Sequence, residues 1–254
     1  MQTDTKKLHQ QRMKFAMHKR KLAAFLILKH GYTTPFIVEK AFGVNAKSVQ
    51  NSLHKWQKSG FIQRINMQLN MQSLLMLTQK SAPIVAAELG LPVGNSASPT
   101  KIASTLIGHN LGVQLCALQV ANEQNLVLYD IANYHVEPKL KSGNSRHARG
   151  DLVLGYEPYT LVECEVTRKS LYHSMRKIEN IISWQIAQTK RQEAARKEKV
   201  PLPHCRFFCA DEGIKNNTVL AFNRHLDEAH DFADFPPDII RAAFSFEVKE
   251  LLAR

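Results

Sequence analysis

No apolar run in this chain approaches the roughly 18–20 residues that a bilayer-spanning helix needs. The opening stretch MQTDTKKLHQQRMKF has no signal-peptide apolar core and no cleavage site, so a cytoplasmic protein with no membrane insertion is the expectation. Cysteines are few: Cys116, Cys164, Cys205 and Cys209, all in apolar surroundings, which reads as buried small hydrophobes in a reducing compartment. Only Cys205 and Cys209 lie close together. With His204 they leave a zinc site as a minor alternative, but a second ligand pair at finger spacing is missing. Histidine clusters of the His-x-His type are absent, and so is any internal repeat.

Acidic residues are scarce in one place only. Residues 1–70 hold 13 Lys/Arg against 2 Asp/Glu, whereas the remaining 184 residues hold 21 against 20. Almost the whole net charge of +12 is therefore concentrated in one quarter of the chain, as expected of a domain that binds a polyanion. The apolar fraction, 44%, is ordinary for a folded protein, and 254 residues suffice for two modest domains.

The basic quarter has a folded pattern. Residues 14–29 read as a helix with Phe15, Leu22, Phe25, Leu26 and Ile27 among Lys and His, ended by Gly31. Thr33-Thr34-Pro35 starts a second helix, Gly43 makes a tight turn, and Asn45 caps a third helix over 46–58, which Gly60 stops. Phe61–Ile65 and Leu74–Thr78 read as a hairpin. The pattern "SVQNSLHKWQKSGFI…LLMLT" resembles the winged-helix superfamily, which implies that the third helix enters the major groove. Its exposed positions are Lys47, Ser48, Gln50, Asn51, His54 and Lys55, with Arg64 on the hairpin. Lys and Arg suit phosphate; Asn and Gln can read adenine edges. The alternative is a winged helix used for protein contacts. A further helix is expected over 82–89. GLPVGNSASPTK (90–101) reads as the linker, giving domains of 1–94 and 95–254.

The order after the linker reads helix (102–120), extended segments (126–136), a basic loop (139–150), strands (151–154 and 161–166), a long helix (171–199), a buried strand (205–210) and a helix (218–230). The fold class is therefore α+β, with a central mixed sheet flanked by helices. Strand alternation puts Glu163 and Glu165 on one face and Val162, Cys164 and Val166 on the other. Paired carboxylates in an apolar strand repel each other and lose hydration, so a positive partner is needed. A divalent metal, Mg²⁺ or Mn²⁺, suits hard oxygen ligands, and Asp151 at the start of the preceding strand is the candidate third ligand. A solvated sheet face is the alternative. Lys139, Lys141, Arg146 and Arg149 of the basic loop are candidates to grip DNA backbone. Arg168, Arg176 and Lys177 read equally well as an extension of that surface or as a solvated helix face. Tyr156 and Tyr159 lie near the candidate site in sequence, which keeps a covalent tyrosine step open. His147 and His173 are candidates for acid–base work, and His109 reads as a packed, hydrogen-bonded histidine rather than a ligand.

Asp151, then Glu163-Cys164-Glu165, then a long helix and a buried strand resembles the restriction-endonuclease-like nuclease fold, with Glu165 standing where that family usually has lysine. Lys169, in "ECEVTRKS", is the candidate relocated lysine. More narrowly, a winged helix, His109-Asn110-Leu111 and "GDLVL…LVECEVTRKSLYHSMRKIENIISW" resemble plasmid replication-relaxation proteins and MobC-class mobilization relaxases over most of residues 20–190. That resemblance implies nicking of double-stranded plasmid DNA at a transfer origin, continued contact with the nicked product, and work alongside a relaxosome accessory protein and a coupling protein. Two rivals remain: a DNA-binding replication or transcription regulator with a degenerate nuclease fold, and a restriction endonuclease that cuts both strands as a dimer.

Overall fold

A computed structural model describes residues 2–66, 73–91, 104–131, 133–140, 149–228, 235–249 and 251. The protein is α+β, with eight α-helices and seven strands among the described residues. It divides into two compact units, Met1–Ile107 with Val127–Tyr129 and Ala253–Arg254, and Gly108–Leu126 with Asp130–Leu252. The division falls in the first turn of the fifth helix, not in the Gly/Pro/Ser-rich stretch, most of which lies outside the described residues.

The first unit holds α1 (Gln2–His30), α2 (Pro35–Phe42), α3 (Ala46–Lys58), β1 (Ile62–Ile65), β2 (Leu74–Leu77) and α4 (Ser81–Glu88). Local chemistry sets its boundaries. Thr34 accepts a hydrogen bond from Ile37 N and Pro35 opens α2, while Gly43 closes it in the left-handed conformation at φ 58°. Asn45 caps α3 by accepting from Ser48 N at 2.9 Å. β1 and β2 pair antiparallel, and Thr33 adds a single-residue bridge to Leu75. Ala23, Ile27, Val38, Val49, Leu53, Phe61, Leu75 and Val85 make the core. Helix α1 starts well before the expected residue 14. Its residues 10–17 are exposed on every side, and Phe15, expected inside, is 54% exposed.

The second unit is built on a five-stranded mixed sheet in the order β3 (Asn133–Val136), β4 (Leu152–Gly155), β5 (Thr160–Glu165), β6 (His204–Cys209), β7 (Phe244–Val248). The β3–β4 and β4–β5 pairs are antiparallel; β5–β6 and β6–β7 are parallel. Parallel neighbours need long crossovers. Helix α6 (Leu171–Arg196) connects β5 to β6, and α7 (Glu212–Glu228) with α8 (Pro237–Ala242) connects β6 to β7. Ile178, Ile181 and Ile182 of α6 and Ala221 and Phe222 of α7 join Leu161, Cys205, Phe207 and Phe244 in one core on one sheet face. Helix α5 (Ser104–Glu123) covers the other face, where Arg206 pairs with its Glu123 and Lys249 reaches the Leu115 carbonyl.

Several expected extents are corrected. Residues 126–129 are not a strand: Leu126 N turns back onto the Ala121 carbonyl at the end of α5, and Leu128–Asp130 form a 3-10 turn. The last helix begins at Glu212 rather than 218, since Asp211 caps it by accepting from Ile214 N. The sequence reading also stopped short of α8 and β7.

Gly112 marks where α5 meets the sheet. A Cβ there would stand 2.8 Å from Cys164 Sγ and 3.5 Å from both Leu251 Cβ and O. Alanine is worth about 1 kcal/mol over glycine inside a helix. Forcing a methyl into a filled core costs about 1–3 kcal/mol, so Gly112→Ala is expected to be net destabilising. Cys164→Ala in the same chain should remove the clash. Urea unfolding checks this, and a Gly112→Ala midpoint equal to the parent would refute it.

Candidate functional site

Asp151, Glu163 and Glu165 come together at one end of the β4–β5 hairpin. The antiparallel register brings the start of β4 beside the end of β5: Cys164 N donates to Asp151 Oδ2 at 2.7 Å, and Asp151 N donates to Glu163 Oε1 at 3.3 Å. Glu163 and Glu165 point toward α6, as alternation requires, but neither is solvated. Glu163 is 0% exposed and Glu165 is buried, so the solvated-face alternative does not hold. Gly150 leaves room for Glu163, since a Cβ there would stand 2.9 Å from its Oε1.

The positive partner is Lys177. Its ammonium lies 3.1 Å from Glu165 Oε1 and 3.8 Å from Asp151 Oδ2, and forms an ion pair with Glu163 Oε2 that lacks hydrogen-bond geometry. Its side chain is 9% exposed, so it extends no surface patch, unlike its exposed neighbours Arg168 and Arg176. Lys169 stands at the outer edge, 2.6 Å from Glu165 Oε2 and 37% exposed. Asn217 of α7 steadies the connection by donating to the Lys169 carbonyl. His109 of α5 approaches from the other side, 3.2 Å from Asp151 Oδ1, as expected of a packed, hydrogen-bonded histidine.

These contacts tune the acids in opposite directions. Burial alone would raise the Asp151 carboxyl. The Lys177 charge and hydrogen bonds from His109 and Cys164 N hold it well below the usual carboxylate range. Burial pushes Glu163 up to about 8, with Asp151 and Glu165 adding to the rise against Lys177. Burial would lower Lys177, but the three acids more than reverse that and hold it well above its ordinary value. Burial also lowers His109, and Asp151 overcomes it, leaving a net rise.

A raised folded-state pKa on Glu163 stabilises fully below about 4.5, and the contribution is lost as pH rises to about 8. The raised His109 acts in the same direction in the upper part of that window, whereas the lowered Asp151 contributes a constant amount there. Stability should therefore fall between about pH 4.5 and 8, by at most about 1.4 kcal/mol per pH unit from Glu163. Glu163→Gln should flatten the profile. With Trp56→Phe in both chains, the buried Trp184 reports unfolding of the second unit. Parallel profiles would rule out this account.

Among the described residues, no three His, Cys, Asp or Glu side chains are arranged to hold a metal ion. The point on which the three acids converge is taken by the Lys177 ammonium. The donor set itself, three buried oxygen acids around one cation position, suits a hard divalent ion. The zinc alternative fails on geometry. Cys205 and Cys209 are four residues apart on one strand, about 13 Å, and His204 is on the opposite face, facing Ser245. Burial holds both thiols protonated, Cys209 up to about 12 and Cys205 well above its ordinary value.

Compared with protein families, curated proteins and solved structures, the chain matches none.

Tyr156 and Tyr159 are displaced from the site. They flank the turn at the far end of the hairpin, four or five residues along β4 and β5, about 15 Å away, and Tyr159 donates to Glu157. His173 interacts with the Ser170 cap of α6. Lys141, Arg146 and His147 lie outside the described residues. The ends of their loop are fixed: Lys139 bridges Arg149, and Arg149 pairs with Glu137 at 3.1 Å.

In the first unit, Lys47, Ser48, Gln50, Asn51, His54 and Lys55 are all exposed, with Val49 and Leu53 buried beneath them. Arg64 of β1 reaches across to Gln50, donating to its Oε1 at 3.0 Å. Both line an open groove with Pro35, Phe36 and Glu39 of α2. Sequence reasoning missed the role of one residue, Lys177. The available signal was a lysine set among the buried positions Ser174, Ile178 and Ile181 of a helix, where a solvated residue does not belong.

Proposed function

We propose that this chain is a metal-dependent DNA nickase of the plasmid-relaxase kind, with a winged helix in the first unit and a restriction-endonuclease-like second unit. The observation that carries the reading is the convergence of Asp151, Glu163 and Glu165 on one cation position at the end of a hairpin in a mixed sheet. The capped, basic α3 with its antiparallel hairpin supports the targeting half.

Asp151, Glu163 and Glu165 are the residues to hold Mg²⁺ or Mn²⁺. A bound ion of this kind polarises the scissile phosphate and stabilises charge on the departing 3′ oxygen. Lys169, at the open edge, offers its ammonium to the phosphate, and Lys177 balances the acids. His109 fixes the Asp151 carboxylate. Lys139 and Arg149, at the base of the basic loop next to Asp151, add backbone grip. The plasmid origin, the accessory protein and the coupling protein rest on the family resemblance.

The test is supercoiled plasmid carrying a cognate origin, incubated with protein and Mn²⁺, for the parent and for Glu163→Ala and Glu165→Ala. Nicking lost in both variants supports the reading, and double-strand cleavage points instead to a restriction endonuclease. Origin binding without nicking in any metal favours the non-catalytic regulator. One observation favours that second reading: Lys177 already satisfies the acids, so the cluster can stand as a structural ion-pair core.

The targeting half has its own test. Each phosphate contact adds about 0.9 to the slope of log affinity against log salt. Lys47→Ala with Lys55→Ala should thus reduce the slope by about 2, while Asn51→Ala should relax base preference instead. Fluorescence anisotropy across a salt series measures both, and an unchanged slope removes α3 from the interface.

A further inference from the structure

We infer that the N-terminal half of α1, residues 2–17, is a second DNA-contacting element: a basic helix that lies in a groove of the duplex with phosphates of both strands along its flanks. This rests on the reading that the first unit binds DNA, and on neither α3 nor the carboxylate site.

The packed part of α1 is short. Burial is continuous only over residues 22–27, where Ala23, Ala24 and Ile27 join the core of the first unit. Just before it, Lys19 lies over Phe42 and Arg20 over Phe61, so the helix is still held to its unit there. All eight residues from 10 to 17 are exposed. A helix with no buried side is stabilised by acid–base pairs along its length or by a partner. Composition excludes the pairs: residues 10–21 hold five Lys/Arg and no Asp or Glu, and Asp4 is the one acid in residues 1–38. Short isolated helices are marginal in water, so the exposed half of α1 calls for a partner.

The kind of partner follows from how the side chains are spread. At about 100° per residue, Met13 and Met17 share one side of the helix and Phe15 lies on the opposite side, all three exposed. They form no apolar stripe, which a membrane surface and a coiled coil with a second copy both require. A second copy would also set the same positive charge against itself. Arg12 and Lys14, about 200° apart, stand on opposite flanks. Both are exposed, and neither has an ion pair or hydrogen bond among the described residues. Cations on both flanks suit an anion on both sides. A helix about 10–12 Å across fits the DNA major groove, about 12 Å wide, between two rows of phosphate. A helix laid against one strand would use one flank only.

The experiment measures binding of the full chain to a labelled duplex of roughly 30 base pairs, about three turns, by anisotropy across a salt series. Arg12→Ala and Lys14→Ala should each lower the slope of log affinity against log salt by about 0.9, and the double variant by about 1.8. The loss should be the same on unrelated sequences, because phosphate contacts carry no base information. Alanine is a good helix former and both positions are exposed, so the variants keep the fold. Arg191→Ala with Lys199→Ala removes the same charge from exposed positions of the second unit and should leave the slope unchanged. An unchanged slope in the double variant overturns the inference. If that variant instead loses binding to anionic phospholipid vesicles, α1 belongs on a membrane surface. A loss from only one of the two single variants overturns the two-flank contact, and an equal loss in the Arg191, Lys199 control reduces the effect to net charge. Lys47→Ala with Lys55→Ala reads α3 separately. If that variant keeps the parent slope while the Arg12, Lys14 variant loses it, the α3 reading falls and this inference stands.

Discussion

Lys177→Met is expected to destabilise the second unit by about 3–5 kcal/mol, the usual cost of removing one partner from a buried ion pair. The cost comes from what remains. Asp151 and Glu165 stay fixed by Cys164 N, His109 and Lys169, with no cation between them. Methionine fills the space but neutralises nothing. Adding Asp151→Asn should recover most of the loss, since asparagine still accepts from Cys164 N and carries no charge. Mn²⁺ should also raise the unfolding temperature of Lys177→Met more than that of the parent. Chemical unfolding followed at Trp184, with Trp56→Phe in every chain, measures all three effects. A Lys177→Met chain within about 1 kcal/mol of its parent, as most surface substitutions are, would falsify the buried ion-pair account.

Glu165→Gln should lower the nicking rate by about 10³-fold or more, several kcal/mol of transition-state stabilisation, with DNA affinity nearly unchanged. Glu165 touches both lysines, so its loss removes a proposed metal ligand and frees two ammoniums at once. The α3 residues belong to the other unit and are untouched. Lys47→Ala with Lys55→Ala should do the reverse, weakening binding while sparing single-turnover nicking at saturating protein. Single-turnover rates beside anisotropy separate the two patterns. If both variants lose binding and rate together, the division of labour between the units is wrong.

Local chemistry was legible in the sequence. Thr34, Asn45, Gly43 and Gly60 fix helix ends through contacts within a few residues, so α2 and α3 fall where their caps put them. Glu163 and Glu165 share a face because a strand has a period of two. What depended on distant partners was not legible. Lys177 is buried because α6 turns that side onto β5, and nothing near residue 177 announces the acids a dozen residues earlier. Phe244–Val248 is a strand because β6 offers it an edge about 40 residues upstream. Residues 10–17 carry no clean apolar stripe, so the early reach of α1 had no periodic signal.

The base of the basic loop has a consequence for how this protein can vary. Glu137 N bonds the Asp151 carbonyl, Gly150 N bonds the Pro138 carbonyl, and the Lys139–Arg149 bridge closes the pair. These three links clamp both ends of residues 141–148 next to the acids. Lengthening a loop whose ends are already held costs little, about 0.6 kcal/mol per doubling. A change in length or sequence between Leu140 and Arg149 is therefore expected to leave Asp151 in place. Under the proposed nickase reading, grip on the nucleic acid and the geometry of the acids are thus free to change independently, a property of use to anyone wishing to retarget it.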